Sequence, residues 1–197
     1  MDESFETIIN SYLDHNIGIA EDFLSQTLAG HLKQNLLLLK KNNLMAAAGT
    51  GNSEKTQHDT KVRGDSIYWL DRKNEDAHEN EFLDQMDSFV QYLNNSCYTG
   101  ITAYEFHYSI YEKGTFYTKH LDQFQSNQSR KFSMISYLNT DWKEEDGGQL
   151  YIHQAAQSQS IAPTSGKTVF FKSDELEHEV LLTNETRMSI TGWLKNT

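Results

Sequence analysis

Three residues of this chain could together bind a transition metal. His120 and Asp122 lie two positions apart, and side chains at positions i and i+2 of a β-strand point to the same face. A strand over this segment therefore directs the imidazole and the carboxylate to one point. His178, which lies between Glu177 and Glu179, could supply a third ligand from another strand. Two histidines and one carboxylate on one side of an Fe(II) ion leave its other positions open for a co-substrate and O₂.

The pair formed by His120 and Asp122 is a weak signal when it is taken alone. The chain contains eight histidines, so a histidine two residues before an aspartate has a substantial probability of arising by chance. The alternative interpretation of His120 is a surface or core histidine that pairs with Asp122 and has no metal.

A third candidate lies in the last strand-like run, residues 187–194. Alternation places Arg187, Ser189, Thr191 and Trp193 on one face and Met188, Ile190 and Leu194 on the other. An arginine that points into a β-structure is costly unless a fixed anion meets it, and a dicarboxylate can do so through two parallel hydrogen bonds. Alternatively, the polar face points to solvent, where an arginine is ordinary. The strand pattern leaves both interpretations open.

The elements that must position these residues change in character near residue 100. Before it, the pattern predicts amphipathic helices over about 4–14, from the N-cap Ser25 to about Lys41, and over 79–95. Short strands are predicted over 17–23 and 62–70. After it, strand-like runs cover 101–111, 115–122, 131–138, 149–153, 167–172, 178–182 and 187–194, with polar turns between them. This order predicts a mainly β, α+β fold with a two-sheet jelly-roll core and N-terminal helices packed on one outer face.

The same pattern predicts one catalytic domain over residues 1–197. Its N-terminal part, 1–100, supplies the helices, and 101–195 forms the jelly-roll core. Residues 49–61 read GTGNSEKTQHDTK, with two glycines and no large apolar side chain. A loop of this kind inside a domain is predicted either to cover a binding site or to be an ordinary surface loop.

Composition restricts the partners that we expect. The chain has 17 Lys and Arg against 28 Asp and Glu, a formal net charge of −11. Nucleic-acid binding needs clustered cations to neutralise phosphates, so a nucleic-acid partner is disfavoured and a neutral or basic polypeptide suits the surface better. No apolar run is long enough to span a membrane. The acidic N-terminus does not resemble a signal peptide, and Cys97 is the single cysteine, so a cytoplasmic location is expected.

Several motifs together resemble the Fe(II)- and 2-oxoglutarate-dependent oxygenases. The matching segments are Ile135-Ser136-Tyr137-Leu138-Asn139, Asp141-Trp142, Gly147-Gly148-Gln149-Leu150 and Val169-Phe170-Phe171-Lys172-Ser173-Asp174, followed by His178 and Arg187. Upstream, Val62-Arg63-Gly64-Asp65-Ser66-Ile67-Tyr68-Trp69 is similar to a segment of the hypoxia-inducible-factor prolyl hydroxylases and their bacterial relatives. The resemblance covers about residues 17–195 and favours the prolyl 4-hydroxylase family. It implies a double-stranded β-helix, another name for the jelly roll.

The resemblance also implies roles for individual residues. The implied assignments are Fe(II) binding by His120, Asp122 and His178, pairing of Arg187 and Tyr137 with the distal carboxylate of 2-oxoglutarate, positions near the metal and co-substrate for Tyr111 and Thr191, and substrate contacts for Trp193, Arg63 and Asp65. It implies O₂ as the second co-substrate and ascorbate as an accessory. The implied reaction is hydroxylation of a prolyl residue in a protein, such as elongation factor Tu, with release of succinate and CO₂.

Some features depart from the family pattern and leave other interpretations open. Glu112 and Lys113 follow Tyr111 where the animal enzymes have a proline-glycine turn, and the sequence of the 49–61 loop differs from the animal loop. One alternative is an oxygenase that acts on lysine or on alkylated nucleic acid, although the repair enzymes usually carry a second arginine where this chain has Trp193. The other alternative is a jelly-roll module that binds metal without turnover.

Overall fold

A computed structural model describes residues 3–49, 62–123, 127–155 and 157–196. Of the loop predicted over 49–61, Gly49 is described and the rest lies outside the described residues. The described helices are α1 (Glu3–His15), α2 (Gln26–Lys41) and α3 (Ala77–Cys97), with short 3₁₀ helices at Arg72–Asn74 and Glu144–Asp146. The strands are β1 (Gly18–Ala20), β2 (Ala46–Ala47), β3 (Asp65–Trp69), β4 (Ala103–Tyr111), β5 (Tyr117–His120), β6 (Arg130–Tyr137), β7 (Leu150–Ile152), β8 (Gln159–Ile161), β9 (Thr168–Lys172), β10 (His178–Val180) and β11 (Arg187–Lys195).

The strands form two antiparallel sheets. Among the described residues, the larger sheet has seven strands in the order β1-β9-β6-β11-β4-β3-β2, and the smaller has four in the order β5-β10-β7-β8. Non-sequential neighbours such as β11 between β6 and β4 are typical of a jelly roll, in which successive strands alternate between layers. The predicted mainly β fold with a two-sheet core is therefore confirmed.

The helices form where capping residues and apolar spacing agree. The Ser25 side chain accepts a hydrogen bond from the Leu28 N–H (3.1 Å) and caps α2 as predicted. The Asp76 side chain accepts from the backbone N–H groups of His78 and Glu79 and caps α3. The buried side chains of all three helices join those of β4, β6, β9 and β11 in one apolar cluster, so the helices cover one face of the larger sheet.

The opposite face of the larger sheet packs against the smaller sheet. A second apolar cluster joins Ile135, Tyr137, Val169 and Phe171 of the larger sheet to residues 150, 152 and 161 of the smaller one. Alternation along each strand produces this division, because neighbouring side chains point to opposite faces. The candidate metal ligands and Arg187 lie on this inter-sheet side.

A glycine in the centre of β11 is required by packing. A Cβ atom at Gly192 would lie 2.2 Å from the Phe106 ring and 2.3 Å from the Glu105 carbonyl oxygen. The strand therefore needs a residue without a side chain where the Phe106 ring crosses it.

All nine predicted strands are present with different ends, and two further strands of the described residues were missed. Strands β2 and β8 have two and three residues, which is too short for alternation to be recognised in the sequence. Among the described residues, no helix is both long enough and apolar enough to span a membrane.

Candidate active site

The three predicted metal ligands meet at the junction of β5 and β10. His120 ends β5 and pairs in register with His178, which begins β10. Asp122 follows two residues after the end of β5, and one ligand atom from each of the three residues lies within 4.8 Å of the others. The Asp122 carboxylate oxygens lie 3.5 Å from His120 Nε2 and 3.5 Å from His178 Nε2. The structure thus brings together residues that are far apart in the chain.

Hydrogen bonds to the backbone orient both imidazoles for metal binding. His120 Nδ1 lies 2.7 Å from the Thr118 carbonyl oxygen, and His178 Nδ1 lies 3.0 Å from the Leu176 carbonyl oxygen. A carbonyl oxygen only accepts, so each Nδ1 carries a hydrogen, and in a neutral ring Nε2 is then the nitrogen with the lone pair that a metal needs. Both lone pairs are therefore available at the cluster, which is the usual arrangement of metal-binding histidines.

The carboxylate of the cluster is held in its ionised form. The Ser133 hydroxyl donates to Asp122 Oδ2 at 2.6 Å and lies 2.9 Å from the Ser173 hydroxyl. Burial raises the pKa of Asp122, but the two imidazoles and Ser133 outweigh that effect and hold the pKa well below its usual range. Burial lowers the pKa of His178 to about 4. The deprotonated Asp122 carboxylate and the neutral His178 imidazole are in the protonation states that a metal requires.

Arg187 is buried in the interior, which decides between the two interpretations of the last strand. Its side chain is 3% exposed, its Nε donates to the Gly148 carbonyl oxygen at 2.8 Å, and its Nη1 donates to Ser189 Oγ at 3.3 Å. Among the described residues, no carboxylate forms an ion pair with it. A buried guanidinium with neutral partners is costly, so this position suits an anionic ligand.

Aromatic residues complete the surroundings of the guanidinium. Arg187 Cζ lies 5.1 Å from the ring centres of Tyr111 and Tyr137. The Tyr137 hydroxyl is buried and has no hydrogen-bond partner in the described part of the chain. Burial raises the pKa of Tyr137 to about 12, so the hydroxyl keeps its proton and can donate. A buried cation and an unpartnered donor together fit a carboxylate, because each would gain a missing partner.

Glycine at position 148 leaves room for Arg187. Its φ is +70°, and a Cβ atom there would lie 3.0 Å from Arg187 Cδ and 3.0 Å from Thr183 Oγ1. Both the left-handed backbone and the close approach favour glycine. Thr191, which the family resemblance placed near the co-substrate, lies on the same face of β11 as Arg187, with its hydroxyl 3.3 Å from that of Ser189.

A cleft of about 1090 Å³ opens at the candidate metal ligands. His120, Asp122, Arg63 and Trp193 line it, so the structure places predicted metal-binding and substrate-binding residues on one cavity. Asp65 is buried behind Arg63 and is tied to it by two hydrogen bonds of 2.6 and 3.0 Å.

A chain of contacts links this ion pair to a candidate metal ligand. The Arg63 guanidinium lies 4.7 Å from the Tyr117 ring centre, and the Tyr117 ring stacks on His120 with centres 3.6 Å apart. Asp65 also accepts a short hydrogen bond from Ser109, and its pKa is lowered because its bonds to Arg63 and Ser109 outweigh the effect of burial. Sequence reasoning gave Tyr117 and Ser133 no role. Strand alternation points to neither residue, because Tyr117 lies three positions from His120 in β5, where the register with β10 shifts, and Ser133 reaches Asp122 from β6.

A cationic residue covers the aromatic wall of the cleft. Arg130 Cζ lies 3.4 Å from the Trp193 ring centre, and Arg130 donates to Glu105 at 2.9 and 3.1 Å. Lys195 donates to the same carboxylate at 3.0 Å. The Trp193 indole is therefore held in place in the cleft that the candidate metal ligands also line.

Comparison with known proteins agrees with this geometry. Residues 106–195, which include all three candidate ligands and Arg187, match the family described as the 2OG-Fe(II) oxygenase superfamily. Human Egl nine homolog 1 is 25% identical over 210 residues that cover 96% of this chain and 46% of that protein. The rat protein of the same name is 27% identical, with 96% and 58% covered. The chain thus spans about half the length of these curated relatives.

Two solved structures extend the comparison to the whole fold. A Pseudomonas putida prolyl-4-hydroxylase has a TM-score of 0.87 and 28% identity, with 98% of this chain and 99% of that chain covered. A Trichoplax adhaerens prolyl hydroxylase, solved with a hypoxia-inducible-factor peptide fragment, has a TM-score of 0.86 and 22% identity, with 98% and 89% covered. The second likeness shows the fold alone. Residues 106–195, which carry the two-histidine, one-carboxylate cluster, are thus similar to a 2OG-Fe(II) oxygenase domain, and the chain is similar over nearly its whole length to a bacterial prolyl-4-hydroxylase.

Proposed function

We propose that this protein hydroxylates a prolyl residue of a protein substrate, coupled to conversion of 2-oxoglutarate and O₂ into succinate and CO₂. One observation carries the proposal. The His120, Asp122 and His178 cluster opens onto a cleft, while the buried Arg187 lacks an acidic partner among the described residues and Tyr137 has an unpartnered hydroxyl. A metal and a dicarboxylate together supply what these groups lack.

In the proposed site, His120 and His178 bind Fe(II) through Nε2, and Asp122 binds it through a carboxylate oxygen. When bound, the iron activates O₂ with 2-oxoglutarate and makes an unactivated C–H bond reactive. Ser133 keeps one carboxylate oxygen of Asp122 engaged, so the carboxylate is fixed in orientation before a metal arrives.

Arg187 and Tyr137 bind the distal carboxylate of 2-oxoglutarate in this proposal. The guanidinium supplies positive charge and the phenol supplies a neutral donor, and both are already buried. Tyr111 limits the pocket from β4, because it pairs in register with Arg187. Thr191 lies further along the same face of β11, toward the metal ligands. Because the binding groups are already in place, little ordering is needed when the anion enters.

A polypeptide substrate is supported by the size and the rim of the cleft. About 1090 Å³ exceeds what a molecule of the size of free proline requires, since drug-sized ligands occupy pockets of roughly 300–1,000 Å³. Leu44, Trp69 and Leu121 line the cleft and are 56%, 47% and 41% exposed. Exposed apolar side chains gathered at a cleft are typical of a binding surface. Trp193 and Arg63 form the adjoining wall in the proposed complex, and the buried Asp65 acts on the substrate only by holding Arg63 in place.

A translation component such as elongation factor Tu is the protein substrate that we propose to test first, following the family resemblance. Ascorbate is proposed as an accessory reductant that sustains turnover. Incubation of purified elongation factor Tu with the protein, Fe(II), 2-oxoglutarate and O₂ should add one oxygen atom to a prolyl residue, located by tandem mass spectrometry. Oxygen on another residue type would contradict the prolyl assignment, and an unmodified factor would exclude that substrate.

The site is tested separately from the substrate. Fe(II) and 2-oxoglutarate added without O₂ should produce a weak visible absorption band from the metal chelate. His178→Ala should abolish the band. His153→Ala is the matched control, because His153 bonds Glu179 outside the metal cluster and should keep it. A band that survives His178→Ala would contradict the proposed metal site.

A further inference from the structure

His107 is a buried titratable residue in the cleft that the proposed reaction does not use. It lies in β4 on the face that also carries Ser109 and Tyr111, and it pairs in register with Thr191 of β11 and Trp69 of β3. It lines the cleft and is 1% exposed. A buried polar side chain on a binding cavity usually has a partner, either in the protein or in the ligand.

One ring nitrogen of His107 is accounted for within the protein. Nδ1 lies 3.0 Å from the Tyr108 carbonyl oxygen. Because a carbonyl oxygen only accepts, Nδ1 carries the hydrogen, and in a neutral ring Nε2 is then a hydrogen-bond acceptor. The described residues form no hydrogen bond with Nε2.

The ring is neutral at physiological pH. Burial lowers the pKa of His107 to about 4, the positive charge of Arg63 acts in the same direction, and the negative charge of Asp65 opposes them. The ring is also confined, since its centre lies 5.0 Å from that of Trp69 and 5.6 Å from that of Trp193. His107 therefore presents a fixed, uncharged acceptor between two indoles.

Of 2-oxoglutarate and the polypeptide substrate, only a molecule with a hydrogen-bond donor can bind this acceptor. The 2-oxoglutarate dianion has carboxylate and keto oxygens, all of which are acceptors, so it cannot donate to Nε2. A polypeptide donates through its backbone N–H groups. The target proline has no N–H, so the donor must come from a residue beside it.

We propose that His107 Nε2 accepts a hydrogen bond from the backbone N–H of a residue flanking the target proline, which makes His107 a specificity-determining residue. The proposal rests on the proposed prolyl hydroxylation. An adjacent group has the complementary polarity, because the Trp193 indole N–H is buried and has no acceptor in the described part of the chain. An extended peptide presents N–H and C=O groups alternately and can partner both.

The tautomer is tested first, without any substrate. In ¹⁵N-labelled protein, long-range ¹H–¹⁵N correlations should show the hydrogen of His107 on Nδ1 and an unprotonated Nε2 at neutral pH. His107→Gln identifies the signals by their loss. A hydrogen on Nε2, or a doubly protonated ring, would overturn the proposal.

The hydrogen bond is tested with three blocked peptides. The parent is a pentapeptide with proline at its centre and alanine elsewhere, acetylated and amidated at its ends. The other two carry an N-methyl group on the alanine immediately before or immediately after the proline. One of the two methylations should lower kcat/KM of the wild-type protein more than it lowers kcat/KM of a variant without the acceptor. The extra loss should be about 2- to 13-fold, the range expected for one neutral hydrogen bond.

His107→Met supplies that variant, because methionine fills a similar volume without a ring-nitrogen acceptor. It should lose the extra discrimination, while the KM for 2-oxoglutarate and the anaerobic absorption band stay unchanged. His107→Gln, whose side-chain oxygen can accept, should restore part of the discrimination. Equal sensitivity to N-methylation in the wild type and in His107→Met would refute the role of His107.

A binding measurement separates this proposal from the proposed function. If the wild type hydroxylates none of the peptides, prolyl peptide turnover is contradicted, and the parent peptide is then titrated into Zn(II)- and 2-oxoglutarate-loaded protein. A shift of the His107 Nε2 resonance together with the Trp193 indole resonance supports the contact. A shift at Trp193 alone overturns it, and no shift at either residue at millimolar peptide overturns both proposals.

Discussion

Replacement of Arg187 by methionine should separate co-substrate binding from the stability of the fold. The guanidinium is 3% exposed and bonds to the Gly148 carbonyl oxygen and the Ser189 hydroxyl, both neutral groups. Without an anion, this buried cation has lost its hydration and, in the described part of the chain, has gained two hydrogen bonds to neutral groups in return. Methionine fills similar space and removes the charge, so the unfolding free energy of the ligand-free variant should equal or exceed that of the wild type.

The effect on 2-oxoglutarate should be large and in the opposite direction. Removal of one partner of a buried, hydrogen-bonded charge pair costs about 2–5 kcal/mol, which corresponds to roughly a 30- to 5,000-fold weaker Kd at about 1.4 kcal/mol per factor of ten. Tyr137→Phe removes only the phenol oxygen that donates to the charged ligand and should cost about 1.5–3 kcal/mol, or roughly 10- to 150-fold.

Two assays measure these effects. Anaerobic titration of the Fe(II)-loaded protein with 2-oxoglutarate gives the Kd, and thermal unfolding with and without 2-oxoglutarate gives the stabilisation by the ligand. The wild type should show a 2-oxoglutarate-dependent rise in Tm, and Arg187→Met should show little or none. Binding by Arg187→Met within about threefold of the wild type would refute the assignment of Arg187, because the range above begins near 30-fold.

Three further predictions follow from buried contacts. Burial raises the pKa of Glu79, so the folded state favours the protonated carboxyl, and this contribution to stability is lost as the pH rises from the ordinary pKa through the folded pKa. Glu79→Gln should therefore increase the unfolding free energy at neutral pH, and increase it less at acid pH, in denaturant titrations. A less stable variant at neutral pH would contradict this. Gly148→Ala should displace the Arg187 side chain, weaken 2-oxoglutarate binding and lower Tm, since its Cβ would lie 3.0 Å from Arg187 Cδ at a φ of +70°. The control Gly30→Ala, which has open space in α2, should raise stability by about 0.5–1 kcal/mol. Unchanged 2-oxoglutarate binding in Gly148→Ala would show that the pocket tolerates the methyl group. Ser133→Ala removes the 2.6 Å hydrogen bond to the Asp122 carboxylate and should weaken Fe(II) affinity by about 10- to 100-fold. Titration with Fe(II) checks this, and an unaltered affinity would mean that Asp122 is oriented without Ser133.

Local patterns in the sequence determined which faces the functional residues share. The two-residue spacing of His120 and Asp122 was enough to predict their convergence, and it holds although β5 ends at His120. Capping by Ser25 and the apolar spacing of α2 and α3 located the helices, because both signals lie within a few residues of one another. The resemblance carried by motifs such as 147–150 then identified candidate ligands on separate strands.

Only the tertiary structure decided how those faces meet. Alternation gives a strand two faces but does not say which face is buried or which strand lies beside it, so Arg187 could have pointed either way until its 3% exposure was known. For the same reason, the sequence did not identify Tyr117 against His120, Ser133 against Asp122, or the tautomer of His107. The contact of Ser133 with Asp122 depends on packing between two strands, and the stacking of Tyr117 on His120 occurs where the register between β5 and β10 shifts. The tautomer of His107 depends on how its ring turns toward the neighbouring Tyr108 carbonyl in the folded protein.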